Sequence, residues 1–258
     1  MDRNRQIAAM AESEEERLLL VRVCDKLERA QQRELAAATC FLSPREQALL
    51  RRLLPQVRLW GGHAETERAV AYYVPEYLPE QDYLQDGPIA CIRATFYAAD
   101  ELSHRDILGA LIGAGLRRDA IGDIYLQPGQ CDFFVLSELA PYLLENLTSA
   151  GRTYLHLARI PLADALHHKQ EMQELRVTVS SLRLDSVISA AFHLSRGATS
   201  ELIRAGRAAL NDLTCVKPDR GVAQGDVISV RGFGKLKVLS HQGETKKGRE
   251  ALLIGKYR

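Results

Sequence analysis

Residues 121–136 read IGDIYLQPGQCDFFVL, and the order of elements around this stretch sets the fold class. Two runs rich in β-branched and aromatic residues, 121–127 and 131–136, are typical of strands. Between them stands Pro128-Gly129, a pair that favours a tight turn. The stretch therefore predicts an antiparallel hairpin.

On its upstream side the hairpin follows a strand and a helix. Residues 89–97 (IACIRATFY) predict the strand. Ser103 is a good N-cap for a helix through Leu111, and Gly115 is placed to end it.

Downstream, Ser137 opens a second helix that closes at Gly151, and residues 153–160 and 171–180 predict further strands. The resulting order β-α-β-β-α-β is that of a split βαβ domain, ferredoxin-like or RRM-like, over residues 79–181. We therefore expect an α+β protein. This topology hosts many unrelated functions and fixes none.

A base-binding RRM carries exposed aromatics on its third strand. Phe133 and Phe134 are adjacent, so one side chain points to each face of the sheet. The basic-Gly-aromatic lead-in of an RRM is missing, and we predict that both are core residues. Arg117 and Arg118 follow the helix end, where phosphate contact and a solvated turn are equally good interpretations.

The first 78 residues predict a packed helical domain. Ser13 with Glu16, and Ser43 with Glu46, are capping-box signatures. Apolar residues repeat at helical spacing after each, and Pro55 stops the second helix.

The charge of the chain is unevenly distributed. The 34 Lys plus Arg and 33 Asp plus Glu give a net charge of +1, which alone argues against a nucleic-acid partner. Residues 182–258 hold 14 basic and 7 acidic residues, a net +7, whereas residues 1–181 hold 20 and 26, a net −6. A basic segment supplies phosphate affinity whatever the rest of the chain averages to. The division predicts an interaction module at residues 182–258.

Composition points to a cytoplasmic globular protein. Hydrophobic residues make up 46% and charged residues 26%. No apolar run approaches the ~20 residues that span a bilayer, and residues 1–5 do not lead into a signal-peptide core. The cysteines are dispersed, which predicts free thiols in a reducing compartment. They are Cys24, Cys40, Cys91, Cys131 and Cys215.

Within residues 182–258, two short helices and several strands are predicted. Arg196, Arg204 and Arg207 are spaced to share one face of the second helix, with Ala198, Leu202 and Ile203 facing inward. Ser195 stands at the N-terminus of that helix, where a phosphate is favoured. The predicted basic surface is extended by residues outside that helix, and the alternative is a solvated charged face. These residues are Arg183 at the start of the first helix and, in the predicted strands, Lys217, Arg231, Lys235 and Lys237.

An ordered set of motifs in this segment resembles the small RNA-binding domain named after ribosomal protein S-four. The set comprises Arg183-Leu184-Asp185, Ser195-Arg196, Leu202-Ile203 with Gly206, Asn211, and residues 225–232 (GDVISVRG). The chain departs from the pattern at Ala208-Ala209-Leu210, where a Val-rich strand is usual, and this predicts a weaker second strand.

Upstream motifs are similar to those of the YlmH family of bacterial proteins. They are residues 41–46 (FLSPRE), Gly61-Gly62, Glu67-Arg68 and residues 115–124 (GLRRDAIGDI). Together the two resemblances cover nearly the whole chain.

The resemblance implies a non-catalytic, monomeric RNA-binding protein without a cofactor. Its expected partners are ribosomal RNA of the large subunit and peptidyl-tRNA, in the rescue of stalled nascent chains, with a link to cell division and possible contact with a division or rescue protein. The corresponding contact residues are Arg183, Ser195, Arg196, Arg204 and Arg231. We also place Asp185, Arg207, Lys217, Lys235 and Lys237 in the predicted RNA-binding set.

Two other functions stay open. Pseudouridine synthases use an Asp in a Gly-Arg-Leu-Asp setting, but Leu182 replaces the Gly here and too few residues follow for a catalytic domain. We predict instead that Asp185 opens a helix and bonds to backbone or Arg. The second alternative is an adaptor whose acidic N-terminal helices bind a division protein.

Cofactor and metal signatures do not assemble. Gly113-Ala114-Gly115 lacks the third glycine of a dinucleotide fingerprint and follows a helix. His156, His167 and His168 lack a completing ligand at zinc spacing, and surface histidines are predicted.

Overall fold

A computed structural model describes residues 3–166, 172–245 and 248–257. It contains helices and antiparallel sheets, which confirms the α+β class.

The chain forms two compact units, unit 1 (Met1–His168) and unit 2 (Lys169–Arg258). The three-domain division at residues 78 and 181 stays a prediction.

The described residues of unit 1 form both helices and strands. In chain order its elements are α1 (Arg3–Met10), α2 (Glu14–Gln32), β1 (Ala37–Leu42), α3 (Pro44–Leu53), β2 (Arg58–Trp60), β3 (Ala69–Tyr73), α4 (Glu80–Asp86), β4 (Ile89–Thr95), α5 (His104–Gly113), β5 (Ile121–Gln127), β6 (Gln130–Leu136), α6 (Ala140–Asn146), β7 (Ser149–Ala150), β8 (Thr153–Tyr154) and β9 (His156–Ile160).

The predicted split βαβ arrangement is present. β5 and β6 form the hairpin, with Gln127 opposite Gln130 and Gly129 at a φ of +77° in the turn. The sheet order is β5-β6-β4-β9 with antiparallel neighbours, so each helix crosses between strands that flank a third. The second helix is shorter than predicted, because Gly151 lies in the turn between β7 and β8.

One face of this sheet packs against α5 and α6. Ile92 and Phe133 from the strands meet Ile107 and Leu111 of α5 and Leu143 of α6, and all five are buried. This is the apolar layer that a helix-covered sheet requires.

The opposite face of the sheet is also covered. Phe134 points to this face and is fully buried with Phe41 of β1, Val70 of β3 and Cys91 of β4. The prediction that Phe133 and Phe134 are core residues is therefore confirmed. The face on which an RRM stacks bases is filled here by protein.

Two glycines allow this close packing. Gly62 has a φ of +104°, and a Cβ added there would lie 2.5 Å from the Phe134 ring. A Cβ on Gly122 would lie 2.7 Å from the ring of Phe41. Both glycines belong to the motifs similar to YlmH, so those motifs serve packing at these positions.

Asp123 connects the sheet to the segment before β3. Its carboxylate accepts from the backbone N–H groups of Glu67, at 2.6 Å, and Arg68, at 3.0 Å. The Arg68 guanidinium donates to the carbonyls of Ile121 and Phe41, both at 3.0 Å. Burial raises the pKa of the nearby Tyr125 hydroxyl, which therefore stays protonated and donates to Asp123 at 3.1 Å.

The N-terminal region contains the predicted helices, and it also contains a small sheet that was not predicted. The capping residues Ser13 and Ser43 begin α2 and α3 as predicted, but β1, β3 and β2 form a three-stranded antiparallel sheet. These strands are runs of three to six residues, such as Ala69–Tyr73, which is apolar throughout. Runs this short carry no periodicity that separates strand from helix, and pairing between distant segments decides.

Unit 2 is a six-stranded antiparallel sheet with two helices. Its elements are β10 (Met172–Val179), α7 (Leu184–Phe192), α8 (Arg196–Arg204), β11 (Ala208–Leu210), β12 (Leu213–Thr214), β13 (Val227–Val230), β14 (Gly234–Glu244) and β15 (Glu250–Tyr257). The sheet order is β10-β15-β14-β13-β11-β12.

The strand predicted at residues 171–180 forms, but it belongs to unit 2. β10 pairs with β15 over its whole length, from Met172 opposite Tyr257 to Val179 opposite Glu250. Its inward residues Val177 and Val179 join the core beneath α7. The sequence placed this strand in the middle region because it directly follows that region. Its pairing partner lies 71 to 85 residues later, which local sequence does not show.

The core of unit 2 lies between the helices and one face of the sheet. Val187 and Ile188 of α7 and Ile203 of α8 pack against strand residues such as Ile228 and Leu236. The predicted turn at Asn211-Asp212 is present, with both residues at positive φ. β11 is short but pairs on both sides, with β12 and β13.

We predict that Gly62→Ala destabilises the protein by about 1–3 kcal/mol, because the added methyl group overpacks the site against Phe134. Gly109→Ala is the matched control: Gly109 lies inside α5 with open space at its Cβ position. The control is expected to raise the free energy of unfolding by about 0.5–1 kcal/mol, because alanine loses less conformational entropy on folding than glycine does. Urea unfolding measures both, and equal effects of the two changes would refute the packing role of Gly62.

A second stability prediction concerns Asp132, which is fully buried. Its carboxylate binds the Arg93 guanidinium through two contacts of 2.7 and 2.8 Å and accepts from the Leu166 N–H at 2.7 Å. Arg93→Leu leaves this buried charge without its cation and is expected to cost about 3–5 kcal/mol. Arg93→Leu combined with Asp132→Asn should recover part of the loss in thermal unfolding, and no recovery would contradict the pairing.

Candidate nucleic-acid interface

The start of α7 holds Arg183 and Asp185 as an ion pair. Arg183 Nε and Nη2 lie 3.1 and 2.8 Å from the Asp185 oxygens, and these hydrogen bonds raise the pKa of Arg183. The backbone N–H groups of Leu184 and Asp185 donate to the carbonyls of Arg220 and Pro218. Asp185 thus lies in the first turn of α7 and bonds to Arg183, as predicted, although no side chain caps this helix.

The start of α8 lies near the segment before α7. Ser195 Oγ accepts from the Ala198 N–H at 3.2 Å, so the predicted N-cap is present. Arg196 Nη2 donates to Ser180 Oγ, three residues before Arg183. Arg249 Nη2 donates to the Thr178 carbonyl at 3.1 Å.

Arg196 and Arg249 thus each bond to the segment that leads from β10 to α7, and Arg183 bonds to Asp185 at the start of α7. We call these three residues the arginine cluster. Arg249 did not enter the predicted set. No spacing signal could have found it, because it is brought to the cluster by the pairing of β10 with β15.

The helical face predicted for three arginines needs correction. α8 ends at Arg204, and Gly206, at a φ of +68°, leads Arg207 out of the helix. The inward face also differs, since Thr199 and Ile203 are buried whereas Ala198 is exposed. Thr199 can be buried because its hydroxyl donates to the Ser195 carbonyl at 2.9 Å.

Arg207 instead lines an open groove of about 390 Å³ with Arg231 and Lys235. The Arg231 N–H donates to the Arg207 carbonyl at 2.9 Å, and Arg207 Nη2 donates to the Arg231 carbonyl at 3.2 Å. The groove runs along β11 and β13 to the turn that begins β14, and we call it the basic groove.

Two residues predicted in strands lie elsewhere. Lys217 is in the loop after β12, and Arg231 is in the turn after β13. Lys235 and Lys237 are in β14 as predicted, and they alternate with the buried Leu236, so they face away from the core.

The predicted cations differ in how many contacts their side chains make within the protein. Lys235 Nζ lies 3.9 Å from Asp212 and 5.6 Å from the Tyr257 ring centre, and the cluster arginines bond within unit 2. Of the predicted cations, Arg204, Lys217, Arg231 and Lys237 make neither an ion pair nor a side-chain hydrogen bond with any residue the structure describes. Such cations are available to phosphate without first breaking a protein contact.

Among the residues that the structure describes, no three His, Cys, Asp or Glu side chains are grouped to hold a metal ion. His156 is exposed on β9, whereas His167 and His168 lie outside the described residues. All five cysteines are free thiols.

For the same part of the chain, no helix combines the length and the apolar character needed to cross a bilayer.

Residues 96–164 match the family described as "Putative RNA-binding domain in YlmH". The chain is 33% identical over 216 residues to the ribosome-associated protein quality control protein P2 of Bacillus subtilis, covering 81% of this chain and 82% of that protein. Among solved structures, the cell division protein ylmH from Streptococcus pneumoniae is 20% identical with a TM-score of 0.49, covering 61% of this chain and 98% of that chain. The Bacillus relative matches over about four fifths of both proteins, so this chain belongs to the YlmH family.

Proposed function

We propose that this protein is a non-catalytic RNA-binding factor that associates with the large ribosomal subunit. In this proposal unit 2 contacts ribosomal RNA and peptidyl-tRNA during quality control of stalled nascent chains. The observation that carries it is the Bacillus relative, which is named for ribosome-associated protein quality control. A further link to cell division stays a prediction.

Charge favours unit 2 as the main phosphate contact. The region that matches the RNA-binding family, residues 96–164, has 5 basic and 9 acidic residues, a net −4. The face on which an RRM would stack bases is also filled there, around Phe134. Residues 182–258 carry a net +7, so RNA is attracted to this part of the chain.

The arrangement of cations suggests two kinds of contact. The unpaired Arg204, Lys217, Arg231 and Lys237 supply charge for phosphate neutralisation. The arginine cluster is held in place by its bonds within unit 2, and Arg183 keeps a fixed guanidinium half exposed beside Asp185. Fixed guanidinium groups position a backbone, since they lose little freedom on binding.

The geometry around Asp185 supports a binding role over a catalytic one. A nucleophilic carboxylate must reach its substrate, whereas Asp185 is buried and engaged with Arg183 and Ser186. Analysis of modified bases in RNA incubated with the protein tests this part of the proposal, and any new modification would contradict it.

The proposal predicts strong salt dependence. If five Lys/Arg contacts to single-stranded RNA form, log K falls with log salt at a slope of about −3.5. Tripling the salt concentration then weakens binding roughly fifty-fold. Fluorescence anisotropy across a salt series measures the slope, and a flat response would contradict a phosphate-based interface.

A charge swap tests the location. Arg204→Glu with Arg231→Glu should weaken co-sedimentation with large subunits roughly tenfold or more and reduce the salt slope by about 0.7 per lost contact. Both side chains are exposed, so the fold should persist. Arg183 and Arg196 are less suitable targets, because swapping them also breaks their bonds within unit 2.

The matched control is Arg105→Glu with Arg152→Glu, which changes the charge equally on exposed residues of the region that matches the RNA-binding family. It should leave co-sedimentation intact. Loss in the control alone would move the interface to unit 1.

A further inference from the structure

An aromatic side chain stands at the tip of the β13–β14 hairpin. The turn reads Arg231-Gly232-Phe233-Gly234-Lys235, and the Phe233 N–H donates to the Val230 carbonyl at 2.9 Å. Gly232 and Gly234 have φ values of +88° and +118°, which other residues rarely adopt. The two glycines thus allow the tight turn that places Phe233 at its tip.

One side of the Phe233 ring is supported by another ring, and part of the residue is exposed. Its ring centre lies 6.0 Å from that of Phe192 at the end of α7, with the planes tilted by 59°. Phe192 is in turn covered by Lys256, whose Nζ lies 4.7 Å from the ring centre. Phe233 itself remains 37% exposed, although its strand neighbours Val230 and Leu236 are buried.

The turn that carries Phe233 is flanked by cations. Gly232 and Gly234, on either side of it, line the basic groove together with Arg207, Arg231 and Lys235. A phenylalanine that only sealed the core would be buried as Val230 and Leu236 are. An exposed ring with charges on both sides in sequence fits a ligand that is itself a flat ring flanked by phosphates.

We infer that Phe233 is a stacking platform for an unpaired nucleobase of the bound RNA, with Arg207, Arg231 and Lys235 holding the adjacent phosphates. The inference rests on the proposed function and specifies its ligand. The bases of a regular duplex are stacked on each other, so the ligand class is a single-stranded or bulged nucleotide.

The test compares two probes with equal backbone charge. One is a ten-nucleotide oligoadenylate, and the other is a ten-unit chain of abasic ribose phosphates. The wild-type protein should bind the oligoadenylate more tightly than the abasic chain. Phe233→Leu keeps an apolar side chain against Phe192 but removes the aromatic face, and it should weaken oligoadenylate binding ~5- to ~150-fold.

Other variants give further expected results. Phe233→Leu should leave binding of the abasic chain and the salt slope unchanged, whereas Arg231→Glu should weaken binding of both probes. Phe233→Trp, which keeps an aromatic face, should retain the preference for bases. Tyr77→Leu, which removes an exposed aromatic residue of unit 1, is the matched control and should change neither probe.

The outcomes separate the inference from the proposed function. Oligoadenylate binding that is equal in wild type and Phe233→Leu overturns the stacking role while RNA binding stands. Absence of binding of either probe by the wild type overturns both. Thermal unfolding of each variant shows whether a loss of binding comes from a loss of fold. An unfolded variant could not retain the preference for bases that is expected of Phe233→Trp.

Discussion

Burial of Phe134 is the constraint on which unit 1 depends. A four-stranded split βαβ sheet normally leaves one face free, yet here Phe41 and Val70 of the N-terminal strands close it. The closure requires a backbone without side chains at Gly62 and Gly122, and it is held by Asp123 through the N–H groups of Glu67 and Arg68. A sheet committed in this way to packing has no surface left for stacking bases.

Unit 2 is constrained differently, because a small fold that carries many positive charges is destabilised by their mutual repulsion. Some of its cations are bonded inside the unit, such as Arg183 to Asp185 and Arg196 to Ser180. Others, including Arg204 and Arg231, extend into solvent. The bonded cations have fixed positions, and the unbonded cations supply electrostatic attraction for phosphate. Phosphate recognition uses both.

Several features of the fold and of the candidate interface could be predicted from local signals in the sequence. The Pro128-Gly129 turn, the caps at Ser43 and Ser195 and the role of Asp185 follow from residues within a few positions of each other, and so they could be predicted. The strands β1 to β3, the membership of β10 and the place of Arg249 depend on pairing across tens of residues. Arg207 was wrongly predicted to lie on α8, because Gly206, one residue earlier, takes the chain out of the helical conformation.

The position of β15 also has a consequence for the order in which the chain acquires its structure. β15 lies between β10 and β14, so β10 has no hydrogen-bonding partner until residues 250–257 have been synthesised. The helices and strands described in unit 1 all precede β10 in the sequence. The acidic part of a nascent chain is therefore synthesised first, whereas β10 of the basic part stays unpaired until the eight residues of β15 emerge and close a loop of some seventy residues.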